Sequence, residues 1–274
     1  MSAAIASFVS HDTAFEDLFE DYVQSRTEDR DQDGRLHPSA LYFCDRKLVY
    51  DLRLTPREPT SGSKRPLLVG KVLHSELQAA LEYAVGKTIR DLYIEGRVDD
   101  PDTGIFGNFD ALVEWIDGTW ELIEIKSANA YSYKLVSKSG EAKPGHVNQA
   151  LTYVDVIRRV GFTTEHDATN FRGDPYTYTK HHDPIPDLDR ARVIYLDKDR
   201  HGLTEKVYRW TPKWKADLDR HIARIERYRS DGEALPPRLP TGSWQCAAED
   251  GAGRWCPFWN RCQKVDKEGS ELDG

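Results

Sequence analysis

Apolar positions open in a helical rhythm and change to a period of two near residue 89 of the 274-residue chain. In "DTAFEDLFEDYVQSR", Phe15, Leu18, Phe19, Tyr22 and Val23 fall at i, i+3, i+4, i+7 and i+8, which predicts a helix with an acidic back. "EDRDQDGRLHP" reads as a solvated linker. "SALYFCDRKLVYDLR" predicts a second helix, N-capped by Ser39 and carrying Cys44. "PREPTSGSKRP" is loop chemistry, and "LLVGKVLHSELQAALEYAVG" a third helix closed by Gly86.

The segments "IRDLYIEGRV", "GIFGNFDALVEWIDG" and "TWELIEIKSA" are rich in β-branched and aromatic residues, with turn residues between them. They predict a meander of three strands. "PGHVNQALTYVDVIRRVG" returns to helical spacing, with Pro144 near its start and Gly161 at its end. A polar connection covers 162–189, where His181 and His182 read as solvated. "ARVIYLDKDRHGLTEKVYRW" predicts a hairpin and "KWKADLDRHIARIERYRSDG" a last helix. Helices around a central sheet indicate an α/β fold in one main domain, without internal repeats.

Composition narrows the class. Hydrophobic content of 39% with 13 Tyr and 7 Trp fits a globular chain. No apolar run reaches the ~18 residues of a membrane span, and "MSAAIASFVS" lacks the basic start of a signal peptide. Four cysteines are too few for a secreted disulfide framework. The expectation is a soluble, cytoplasmic protein with no membrane partner. The net charge of −8 is uneven: nine acidic residues against two basic ones lie between His11 and Gly34, whereas Lys126 to Lys143 holds four lysines and one glutamate. Local field, which governs contact with a polyanion, is therefore not set by the total.

The chemistry concentrates in "GNFDALVEWIDGTWELIEIK". Glu124 and Lys126 lie two apart on one predicted strand and share a face, and a turn at "IDG" can bring Asp110, on the preceding predicted strand, beside them. Two carboxylates at one end of a sheet suit Mg²⁺ or Mn²⁺, with a lysine placed to orient water. Glu-x-Lys is a common solvated pair. Here, however, it alternates with Leu122, Ile123 and Ile125, so a buried charge needs a reason.

"GNFD" followed by "IEIK" resembles the motifs of the PD-(D/E)XK nucleases, specifically the RecB-like branch, over roughly Leu36 to Cys262. "GKVLH" and "QALTY" match two more motifs of that branch, in order. The resemblance implies a restriction-endonuclease-like fold with a central mixed sheet flanked by helices, and a DNA exonuclease. His74, Asp110, Glu124 and the backbone carbonyl of Ile125 would bind Mn²⁺ or Mg²⁺, with Lys126, Asp110 and Glu124 catalytic and Gln149 and Tyr153 on the substrate. It divides the chain into an acidic helical extension (1–35), the nuclease core (36–210) and a C-terminal helix with a cysteine-rich segment (211–274).

One subset of this superfamily, the CRISPR-associated Cas-four type, is similar in a further respect. One cysteine before the core and three after it hold a four-iron, four-sulfur cluster. Cys44 with Cys246, Cys256 and Cys262 match that layout, and the cluster would join the two ends of the chain. Nine residues separate Cys246 from Cys256 where the family commonly has two. Zinc held by four thiolates and unconnected free cysteines are the alternatives.

DNA, as single strands or duplex ends, is the expected partner, together with a recombination, repair or CRISPR-adaptation protein. A DNA-trimming role in CRISPR adaptation and a catalytically silent, metal-stapled DNA-binding module are the alternatives. "AVGKT" has Leu81 where a phosphate loop needs glycine, so no nucleotide cofactor is expected. "SANAYSYKLVSKSGEAK" reads either as a solvated loop or as a DNA-contacting one. In the second case Tyr131 or Tyr133 would stack on bases, and Lys134, Lys138 and Lys143 would meet phosphates.

Overall fold

The computed structural model describes residues 15–26, 32–58, 65–169, 174–232, 234–239 and 256–262. The opening rhythm gives three helices, α1 (Phe15–Arg26), α2 (Asp45–Leu52) and α3 (Arg65–Ala84). α2 is shorter than its pattern, and Ser39 does not cap it. The amides of Ala40 and Leu41 both donate to the His37 carbonyl, at 2.8 and 3.2 Å, so the chain turns tightly there. The helix starts only after Cys44, which occupies the N-cap instead of lying within it. Asp45 then opens the first turn, where a carboxylate meets free backbone amides. α3 ends as expected before Gly86, whose φ of +76° suits glycine.

The predicted three-stranded meander is five strands: β1 (Ile89–Ile94), β2 (Arg97–Asp100), β3 (Ile105–Asn108), β4 (Ala111–Trp115) and β5 (Trp120–Ala128). The chain leaves one sheet at Glu95–Gly96 and returns at Phe109–Asp110. These two crossings lie side by side: the Phe109 amide donates to the Gly96 carbonyl (2.9 Å), and the Glu95 amide to that of Asp110 (3.2 Å). A Cβ on Gly96 would stand 2.2 Å from the ring of buried Phe109, so this joint requires glycine. Asp110 accordingly sits at the joint and not on a strand.

Two further elements occupy stretches expected to be irregular. α4 (Ala130–Ser139) replaces the predicted loop; the Asn129 side chain caps it by accepting from the Ser132 amide, and Gly140 closes it at φ +73°. After the expected α5 (Pro144–Arg159), the polar connection forms a hairpin of β6 (Phe162–Thr169) and β7 (Pro175–His182). His182 is not simply solvated. Its ring stacks on Phe162 at 4.4 Å, and its Nε2 lies 2.8 Å from the Thr164 hydroxyl. β8 (Arg190–Asp197), β9 (Leu203–Arg209) and α6 (Pro212–Ser230) follow as the pattern predicts.

The main sheet runs β1-β4-β5-β8-β9 and is mixed, β5 and β8 being parallel and the other pairs antiparallel. An antiparallel sheet of order β3-β2-β6-β7 adjoins it through the joint. Leu77 and Leu81 of α3 cover Ile123 and Ile125 on one face of β5. On the other face Leu122 and Tyr195 pack with Leu151 and Ile157 of α5 and with Leu218 of α6. β5 is thus buried on both sides along most of its length, as befits a central strand beside a parallel partner. The result is a mixed α/β fold with a central mixed sheet flanked by helices. Of the apolar face predicted for α1, Val23 is buried, while Leu18 and Tyr22 stay 55% and 51% exposed. Among the described residues no helix is long and apolar enough to cross a membrane.

Candidate active site

The two crossings, the end of β5, α3 and α5 converge on one place. Burial of Ile123 and Ile125 under α3 turns Glu124 and Lys126 to the opposite face of the strand, toward α5. Glu124 is 1% exposed. Its Oε1 lies 2.6 Å from Lys126 Nζ, which also donates to Gln149 Oε1 at 3.0 Å. Asp110 reaches the same strand from the joint, its Oδ2 accepting from the Ile125 amide at 2.6 Å. His74 of α3 stands 3.6 Å from Asp110 Oδ1. α3 can come this close because residue 70 is glycine; a Cβ there would lie 3.1 Å from the Ser127 hydroxyl. An open cleft of about 480 Å³ runs past Gly70, Lys71, His74, Gln78, Glu95 and Ser127.

The structure therefore brings His74, Asp110, Glu124, Ile125, Lys126 and Gln149 together. Tyr153 is placed differently. It is 3% exposed, meets Phe109 edge-on at 6.3 Å and packs on Gly107, so it supports the joint from below.

Charge here is finely opposed. Burial pushes the Glu124 carboxyl up to about 7; Lys126 pulls it down and Asp110 pushes it up further. Burial would lower Lys126, but the pull of Glu124 and Asp110 outweighs it, and the net direction is upward. His74 behaves alike: burial lowers it, and the Asp110 carboxylate raises it by more.

The residues fit a hard divalent cation. Two carboxylates, a backbone carbonyl and one imidazole stand close together around the end of β5, the imidazole on the wall of the cleft. Glu124 Oε2 is buried without a hydrogen-bond partner, a cost of roughly 1–3 kcal/mol that a cation would remove. Among the described residues no three His, Cys, Asp or Glu side chains are gathered on a single point. Glu124 Oε1 instead faces Lys126, and Asp110 Oδ2 faces the Ile125 amide.

Two site residues escape sequence reasoning. Glu95, next to Asp110 at the crossing, adopts φ +53° and accepts from Gln78 Nε2 at 2.8 Å. Burial and the Asp110 charge raise its carboxyl above the usual range, against the Gln78 hydrogen bond. The only signal was a glycine directly after it in an otherwise strand-like run. His146, one turn before Gln149, has its Nδ1 2.8 Å from the Tyr195 hydroxyl, and Tyr195 pairs with Lys126 across β5 and β8. Burial, then Lys126 and Lys143, push His146 down to about 3.

Residues 44–58 and 256–262 meet at a second place. Cys44 precedes α2 directly, and Arg46 in the first turn donates to Cys262 Sγ at 3.4 Å. The segment that starts at Cys256 is tied down by its Pro257 carbonyl, 2.8 Å from the Glu58 amide, and by Phe258, buried against Tyr50 at 5.1 Å. Cys246 lies outside the described residues.

No protein-family model and no curated protein sequence matches this chain. Among solved structures it is similar to an alkaline exonuclease (LHK-Exo) from Laribacter hongkongensis, at 16% identity and a TM-score of 0.48 over 72% of this chain and 89% of that one. The same exonuclease in complex with dAMP gives 16% identity and a TM-score of 0.47 over 73% and 90%. A structure described as SSO0001 gives 14% and 0.44 over 89% and 93%.

Proposed function

We propose that this chain is a metal-dependent nuclease that hydrolyses phosphodiester bonds in DNA, an exonuclease of the RecB-like kind. The observation that carries the reading is a buried carboxylate, Glu124, with one oxygen on Lys126 and the other unpartnered, close to Asp110, which itself stands 3.6 Å from His74 on the wall of an open cleft. Asp110, Glu124, the Ile125 carbonyl and His74 would hold Mn²⁺ or Mg²⁺. Such an ion, when bound, supplies positive charge to a phosphate under attack.

The chain's own residues do the rest. The Ile125 amide fixes Asp110, and so ties the joint to β5. Lys126 keeps its proton between Glu124 and Gln149, so it acts as a cation and hydrogen-bond donor, orienting a water or meeting a phosphate oxygen. Gln149 spends its carbonyl oxygen on Lys126, which leaves its NH₂ group to donate toward a substrate strand. Cys44, Cys246, Cys256 and Cys262 would hold a four-iron, four-sulfur cluster away from this chemistry, as a staple.

The test is incubation of end-labelled linear and circular DNA in Mn²⁺ with the parent, Lys126→Ala and Asp110→Asn. The expected result is degradation of linear DNA by the parent, with losses on the order of 10²–10⁴-fold in both variants at unchanged circular dichroism. No cleavage by metal-loaded parent would favour a silent DNA-binding module. Equal cleavage by all three would place the active site elsewhere.

A further inference from the structure

α4 starts three residues after Ser127, which lines the cleft, and it packs against β5 and β8 through Val136. Its N-terminus is braced: the Ala130 amide donates to Asp199 Oδ2 at 2.7 Å, and the Lys198 amide to the Ala128 carbonyl at 2.9 Å. Tyr133 is held in the same brace, since a Cβ on Gly202 would stand 2.8 Å from its ring. The outer face is different. Tyr131, Lys134, Leu135 and Lys138 fall at i, i+3, i+4 and i+7 and form one exposed row, with Tyr131 72% and Leu135 51% exposed. The helix contains no acidic residue, and among the described residues neither Lys134 nor Lys138 has a carboxylate partner.

We infer that this face is a docking surface for single-stranded DNA beside the cleft, with Tyr131 stacking on an unpaired base and Lys134 and Lys138 meeting the adjoining phosphates. The occupant follows from chemistry. Two lysines with no carboxylate partner among the described residues, on an acid-free helix in a chain of net charge −8, complement a polyanion. A duplex offers phosphates but no base faces, whereas a ring standing in solvent at the end of a row of cations suits an unstacked base. The brace fixes the start of the row to the end of β5 that follows Lys126, so a strand gripped here would be presented to that end of the sheet. The inference deepens the nuclease reading and rests on it.

The experiment measures binding of a single-stranded oligonucleotide carrying 2-aminopurine to the full-length protein in Ca²⁺. The variants are Tyr131→Ala, Tyr131→Phe, the pair Lys134→Ala with Lys138→Ala, and Tyr83→Ala as an exposed control on α3. Stacking by one base predicts about 5- to 150-fold weaker binding for Tyr131→Ala, with restoration in Tyr131→Phe. Loss of two phosphate contacts predicts a slope of log K against log salt shallower by about 1.4 in the lysine pair. Parent-like binding by these variants, or an equal loss in Tyr83→Ala, overturns the inference. Because binding is read without turnover, parent-like binding alongside Lys126-dependent cleavage removes this surface and leaves the nuclease. Tyr131-dependent binding by a parent that cleaves nothing does the reverse.

Discussion

At the scale of single residues, His146 carries a pH dependence that its neighbours dictate. The Tyr195 hydroxyl accepts from the Lys143 amide at 3.0 Å and shares a hydrogen bond with Nδ1 of His146 at 2.8 Å, and burial beside two lysines keeps the ring neutral. Burial and two lysines hold the folded pKa near 3, against 6.5 in the open chain. Between those values the unfolded state binds the extra proton. The contribution to stability is therefore complete above about 6.5 and is lost as pH falls, by up to about 2 kcal/mol at pH 5. The parent's melting temperature should drop more steeply from pH 7 to pH 5 than that of His146→Gln, which keeps a polar partner for Tyr195 but does not titrate; identical slopes would show that His146 is protonated without cost. The same residue marks the limit of legibility. Glu124 and Lys126 were readable because a strand's period of two is local to the sequence, whereas Asp110, expected on a strand, was placed beside them by a turn and by the resemblance and reaches them from the joint. Glu95 and His146 acquire their meaning from Asp110 and Tyr195, which stand 15 and 49 positions away.

At the scale of elements, the strands were visible and their division was not. β-branched and aromatic residues continue from Ile89 to Val98 and again across Phe109, so a strand that passes from one sheet to the next reads as one segment. What makes the crossing is the fit of Gly96 under Phe109. Gly96→Ala should cost about 1–3 kcal/mol, since the displaced ring is enclosed on all sides. Combining it with Phe109→Leu should recover part of that loss in urea unfolding, a favourable coupling that two independent sites would not show. α4 escaped notice for the opposite reason. Only Val136 of its ten residues is buried, so it has no apolar stripe, and Asn129 and Gly140 define it from the ends. The β6–β7 hairpin likewise has β7 exposed along nearly its whole length, and without an inward face it gives no signal of period two.

At the scale of the whole molecule, the question is what keeps a C-terminal segment on a helix near the other end of the sequence. Phe258 and the Glu58–Pro257 hydrogen bond fasten it locally, but both are modest next to the entropy of closing a loop that long. A metal group shared by Cys44 and the C-terminal cysteines would remove that entropy from the unfolded state, worth roughly 5 kcal/mol by the cross-link estimate and comparable to the net stability of many domains. Arg46, 3.4 Å from Cys262 Sγ, places a permanent positive charge where thiolates would gather. Purified protein should therefore contain iron and sulfide in stoichiometric amounts. Cys44→Ser should lose both together with a large part of its melting temperature, while Lys126→Ala, beside Glu124 and Gln149, should retain both. Stoichiometric zinc without iron would keep the staple and change its metal. A metal-free parent as stable as Cys44→Ser would mean that Tyr50 and Phe258 hold the ends together unaided.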